Sequence, residues 1–194
     1  MSQPHLQIVV GSTRPGRRGL AVATWIHDLA VKHAGFDVQL VDLAEVGLPF
    51  LDEPRPPQRG EYVHEHTRRW SETVRSGDAY MFVVPEYNHS YGAATKNALD
   101  YLAKEWAGKP VSFVGYGGVA AGARAIQALV PVVSALGMVP LAHSVNIPFI
   151  RHAITPDGRF EPAPGLDENA TGVIDELLRL TTALSAVRLA TPAG

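Results

Sequence analysis

The chain has 194 residues, 46% hydrophobic content and a formal charge of −2, enough to bury one good-sized core as a single domain over 1–194 and too balanced to offer a nucleic-acid backbone a basic field. It has no cysteine, which excludes disulfides, thiolate metal sites and cysteine nucleophiles, so redox chemistry would need a borrowed cofactor. No apolar run reaches the roughly 18 residues of a membrane span and the run in MSQPHLQIVVG is too short for a signal peptide, so a cytoplasmic protein with neither membrane nor nucleic-acid partners is expected.

In chain order, short apolar runs alternate with segments of helical period, the pattern of a parallel sheet built from βαβ units. LQIVVG from Leu6 predicts the first strand, and Val22, Ile26 and Leu29 stripe the first helix. DVQLVDL from Asp37 follows as the second strand, with Val63, Thr67, Trp70 and Val74 on the second helix. DAYMFVVP from Asp78 is the third strand, and the helix after it carries Ala98, Leu99 and Leu102. KPVSFVGYGG from Lys109 is the fourth strand, followed by Ile126, Leu129, Val133 and Leu136. MVPLAHSV from Met138 is the fifth, followed by Val173, Leu177, Leu180, Leu184 and Val187. Largely continuous apolar strands fit a sheet covered on both faces. Right-handed crossovers then wind the five units into an α/β three-layer sandwich, flavodoxin-like, with a five-stranded parallel sheet in order 2-1-3-4-5. LATPAG, about 189–194, is expected to fray.

Two long segments stand outside the repeat, LPFLDEPRPPQRG from Leu48 and IPFIRHAITPDGRFEPAPG from Ile147. Loops of this length in a compact domain are commonly functional or interfacial, and exposed excursions without a role are the alternative.

In an open parallel sheet, ligands bind beyond the carboxyl ends of the strands where the strand order reverses. GSTRPGRRG, Gly11 to Gly19, gives the first loop there two hydroxyls and three arginines just before a helix amino terminus. Free amides, the helix dipole and guanidinium groups make it an anion site. Neither GxxxxGK[ST] nor a GxGxxG after the first strand is present, so nucleotide hydrolysis loses support. In PEYNHSYGAATKNALDYL, Pro85 stops the third strand and Glu86, Tyr87, Asn88, His89, Ser90 and Tyr91 cross the rim of the sheet. The third loop, GYGGVAAGARA from Gly115, lets backbone approach a planar ring.

Together these loops resemble those of the NADPH-dependent FMN reductase family, which includes quinone and chromate reductases. The resemblance runs from the first strand through the fifth, and PEYN followed by K-N-A-L-D is its most specific part. It implies FMN as cofactor, NADPH or NADH as co-substrate, a small-molecule electron acceptor such as a quinone or free flavin, and a homodimer or homotetramer. Gly11, Ser12, Arg14, Arg17, Arg18 and Gly19 would then hold the FMN phosphate. Pro85, Glu86, Tyr87, Asn88 and Ser90 would follow the ring edge, and the amides of Gly117 and Gly118 would meet its pyrimidine side. The chain departs from many members at Arg17, Arg18 and Gly19, where those carry a serine; an arginine is the expected substitute.

No side chain is assigned as acid or base. His64 and His66, two apart, are expected to point to different sides of a helix and to share no metal. Lys96 and Asp100, four apart, should form a local ion pair. His89 meets either the acceptor or solvent, Glu86 either flavin or a neighbouring subunit, and Trp25, Trp70 and Trp106 pack helix surfaces. Two other functions share these features, a non-enzymatic flavodoxin-type electron carrier and a phosphate-binding module. A charge of −2 is weak for the first, and the second leaves PEYN unexplained.

Overall fold

The computed structural model describes residues 3–190, with side chains through residue 185. The parallel sheet runs β2 (Asp37–Asp42), β1 (His5–Val10), β3 (Ala79–Pro85), β4 (Pro110–Tyr116), β5 (Val139–Pro140), the expected order 2-1-3-4-5. A further strand, β6 (Val145–Ile147), also pairs with β4. This is the expected flavodoxin-like arrangement, a parallel sheet with helices on both faces.

Alternation along the strands builds the layers. Leu6, Ile8 and Val10 of β1, with Met81 and Val83 of β3, enter a core covered by α1 (Gly19–His33) and α6 (Leu166–Ala190). Val9, Tyr80, Phe82 and Val84 point the other way, toward α3 (Glu65–Ser76), α4 (Ala93–Asp100) and α5 (Ala123–Ala135). A short α2 (Leu43–Val46) follows β2 directly, its amino terminus capped by the Asp42 carboxylate on the Ala44 amide at 3.0 Å.

Trp70 and Trp106 are fully buried rather than helix-surface packing. Their indoles donate to the carbonyls of Ala98 at 2.9 Å and Leu99 at 3.3 Å, fastening the end of α4 to the core. Trp25 is partly exposed, edge-on to Phe160 at 5.0 Å with its indole on Asp167.

The structure corrects several element boundaries. The fifth strand is split: between its pairings with β4, this chain advances five positions, from Pro140 to Val145, while β4 advances three, from Val111 to Val114. Two extra residues therefore bulge out beside Pro140, which has no amide for the ladder. Val63 lies before α3 and is half exposed. Leu102 and Leu136 lie just past α4 and α5. Leu189 and Ala190 continue α6, while the rest of the expected frayed tail lies outside the described residues. Among the described residues no helix is long and apolar enough to cross a membrane.

The turn into α5 fixes the end of β4. Gly122 has φ 82°, and a Cβ there would stand 2.4 Å from the Tyr116 amide nitrogen. Neither the conformation nor the space admits a side chain. Gly122→Ala should therefore lower stability by at least about 2 kcal/mol, a drop of roughly 4 to 8 °C in melting temperature for a chain of this size. An unchanged melting curve would contradict this packing.

Candidate functional site

The loops after β1, β3 and β4 and the turn after β6 enclose a cleft of about 400 Å³. Of the residues expected in a site, Arg14, Arg17, Arg18, Pro85, Glu86, Tyr87, Gly117 and Gly118 line it. Gly11, Ser12, Gly19, Asn88 and Ser90 are not part of that lining. A larger recess of about 520 Å³ lies between α2 and α4, but no charged residue lines it.

The first loop leaves its donors open. The amides of Ser12, Thr13, Arg18 and Gly19 have no acceptor among the described residues, and α1 has neither a side-chain cap nor an acid in its first turn. These are the conditions under which a helix amino terminus binds an anion. The Gly11 amide is already taken by the Val83 carbonyl at 2.9 Å, so Gly11 continues the sheet and offers no donor.

The arginines divide. Arg17 is paired with Asp42, whose side chain is only 5% exposed. Its buried Nε has no acceptor among the described residues. Arg14 and Arg18 form no ion pair among them and remain available. The positive charge at this end of the cleft is therefore not cancelled locally.

Gly19 makes room for Tyr116, the last residue of β4 and part of the third loop. A Cβ at Gly19 would stand 2.6 Å from the Tyr116 hydroxyl. That hydroxyl bonds Ser12, and burial pushes the phenol well above its ordinary value, keeping it neutral. Ser12 is 2% exposed and its Oγ also lies 3.3 Å from the Tyr87 hydroxyl, so Ser12 links the first loop to the second.

The PEYN segment is a tight turn. Tyr87 and Ser90 exchange backbone bonds at 2.8 and 2.9 Å. Asn88 and His89 between them take φ 49° and 67°, the left-handed pair that such a two-residue turn demands and that asparagine tolerates. The Glu86 amide is consumed by the Tyr116 carbonyl at 2.9 Å. The amides of Asn88 and His89 have no acceptor among the described residues.

Glu86 resolves within the chain. Its side chain, 7% exposed, is paired with Arg124 at the start of α5 and accepts from the Arg124 amide at 3.3 Å. The His89 Nε2 lies 2.9 Å from an Arg124 nitrogen. Arginine only donates, so this His89 nitrogen must carry the lone pair. His89 therefore faces Arg124, a partner absent from the sequence expectation.

One donor assignment fails. The Gly117 amide donates to the Ile147 carbonyl at 3.2 Å and is not free to meet a ligand. The chain after β6 runs alongside the third loop and takes it up. The Gly118 amide has no acceptor among the described residues.

That same chain supplies lining residues not expected individually: Phe149, Ile150, Arg151 and His152, together with Tyr116 from β4. The signal available was the length of the segment from Ile147, which marked it as functional without saying which residues turn inward.

Away from the cleft, Lys96 and Asp100 form the expected pair. The histidine expectation is corrected, since the rings of His64 and His66 stack at 5.2 Å and 8°. His64 is the extended residue before α3 and not part of it, so helical spacing does not apply. Both rings meet Asp52, His66 at a carboxylate oxygen 2.9 Å away and His64 at the carbonyl 3.2 Å away. Tyr101 donates to the same carboxylate at 2.9 Å, and its phenol is pushed up to about 12, by burial first and then by that carboxylate. These contacts tie the proline-rich segment down. Among the described residues no group of three or more His, Asp or Glu could hold a metal ion.

The sequence pattern of the NADPH-dependent FMN reductase family matches residues 4–152. The chain belongs to this family. It is similar to an NAD(P)H-dependent FMN reductase of Schizosaccharomyces pombe, 40% identical over 126 residues, 64% of this chain and 63% of that one. It is also similar to a quinone reductase of Pseudomonas putida, 32% identical over 120 residues, 59% of this chain and 61% of that one. The matched stretches thus span about three-fifths of these relatives. The solved structure of FerB, a flavoenzyme NAD(P)H:(acceptor) oxidoreductase from Paracoccus denitrificans, has TM-score 0.75 with 22% identity, covering 93% of this chain and 98% of that one, and shares its fold.

Proposed function

We propose that the chain is an NAD(P)H-dependent FMN oxidoreductase that passes reducing equivalents to a small acceptor such as a quinone or free flavin. The observation that carries this is one cleft in which an anion-ready loop, the PEYN turn and the Gly117–Gly118 loop converge. The family's named activities support it.

The residues fit FMN. The uncapped start of α1, the buried Arg17 Nε without an acceptor and the glycine cradle under Tyr116 are features a phosphate would satisfy. Arg14 and Arg18 would meet that phosphate with charge-assisted bonds, and Arg17, held by Asp42, would stand behind them. Pro85, Glu86 and Tyr87 would flank the ring, with the Asn88 and Gly118 amides as donors to its polar edge. FMN, when bound, supplies a ring that accepts hydride from the nicotinamide and later yields electrons. The protein contributes position and field: preorganised donors favour the negative charge of the reduced ring. No side chain is needed as acid or base.

The apolar recess formed by Leu48, Pro49, Phe50, Ala93 and Ala94, with Phe50 85% exposed, supports a contact between copies in a homodimer or homotetramer near the PEYN turn. Light scattering at micromolar concentration should return twice or four times the chain mass, and a monomer throughout would remove this assembly.

The flavin assignment has its own test. Arg14→Ala should weaken FMN binding roughly tenfold or more, the loss of a charge-assisted bond worth about 1.5 to 3 kcal/mol. Riboflavin, which lacks the phosphate, should bind as before. Equal losses for the two ligands in fluorescence titrations would show that this loop does not hold the phosphate.

A further inference from the structure

The cleft has a second cationic wall, which the flavin assignment leaves without a ligand. It is the turn Phe149–His152, and its backbone is fixed. The amides of Phe149 and Ile150 donate to the carbonyls of Gly118 and Gly117, each at 3.1 Å, and the Gly117 amide returns a bond to Ile147. The His152 amide closes the turn on the Phe149 carbonyl at 2.9 Å. The turn therefore keeps a set position beside the third loop.

Phe149 is strained. It takes φ 47°, a left-handed conformation that is costly for a bulky side chain. The residue is also 54% exposed, so burial does not offset that cost. Strain of this kind clusters where a ligand is met. The ring lies nearly parallel to that of His152, with centroids 6.4 Å apart and planes at 16°. Arg151, between them in sequence, is exposed on the same cleft and has no ion pair among the described residues. Glu86, the acid on that lining, is committed to Arg124.

An open aromatic face beside an uncompensated guanidinium is the chemistry that takes a purine by stacking and a phosphate by paired donors. We infer that the Phe149–His152 turn binds the adenosine 2′-phosphate end of the nicotinamide nucleotide. Arg151 meets the phosphate and the Phe149–His152 pair meets the purine, so this turn sets a preference for NADPH over NADH. The inference rests on the flavin assignment in one respect: FMN occupies the loop at Arg14 and Arg18, leaving this wall for the second nucleotide.

Calorimetric titration of the FMN-loaded protein with adenosine 2′,5′-bisphosphate and with 5′-AMP tests it, because the two probes differ only in the 2′-phosphate. The wild type should bind the bisphosphate about tenfold more tightly. Arg151→Ala should bring the bisphosphate to the level of AMP while weakening AMP and FMN far less than the bisphosphate. In steady state the same variant should raise KM for NADPH about tenfold with KM for NADH unchanged. Phe149→Ala should weaken both nucleotides. A wild type that does not distinguish the probes, or an Arg151→Ala variant that still does, would overturn the inference. A chain that holds no FMN would refute the flavin assignment separately, and the same titrations of that chain would still decide for or against the Arg151 site.

Discussion

The site depends on one topological constraint. β1 and β3 are hydrogen-bonded neighbours, yet the helix after β1 covers one face of the sheet and the helix after β3 covers the other. The loops leaving these strands must part, and a crevice opens between them. GSTRPGRRG, PEYNHS and GYGG are ordered around that parting. Gly122, pressed against the Tyr116 backbone, and Gly19, under the Tyr116 hydroxyl, set how closely the walls meet.

Electrostatics then sort the walls. Two nearly buried carboxylates, Asp42 and Glu86, are each matched by one arginine, Arg17 and Arg124. Removing one partner from a buried pair typically costs about 3 to 5 kcal/mol, because the other charge is stranded. Both carboxylates are thereby spent on holding loops, and Arg14, Arg18 and Arg151 face the cleft without acids. A chain of net charge −2 thus carries a locally positive cleft, the field that draws phosphorylated ligands.

Much of this was legible in the sequence because it rests on local rules. Apolar runs with helical stripes between them gave the strand order, and Pro85, the glycines and the arginines marked the rim. What was not legible depends on contacts distant in sequence. The break in the fifth strand needs its register against β4. The use of the Gly117 amide by Ile147, the Glu86–Arg124 pair and the inward turn of Phe149 to His152 all join segments about 30 or more residues apart. The stacked His64 and His66 were missed for another reason: the helix begins at Glu65, two residues later than the stripe from Val63 suggests.

The function proposed for this cleft is to bring nicotinamide and flavin together for hydride transfer. Anaerobic stopped-flow mixing of the FMN-loaded protein with NADPH tests it most directly, by following the visible flavin absorbance. NADPH should bleach the flavin fully in a single turnover, before any acceptor is added. Flavin that stays oxidised under excess NADPH would contradict it and would leave a non-enzymatic electron carrier as the better description.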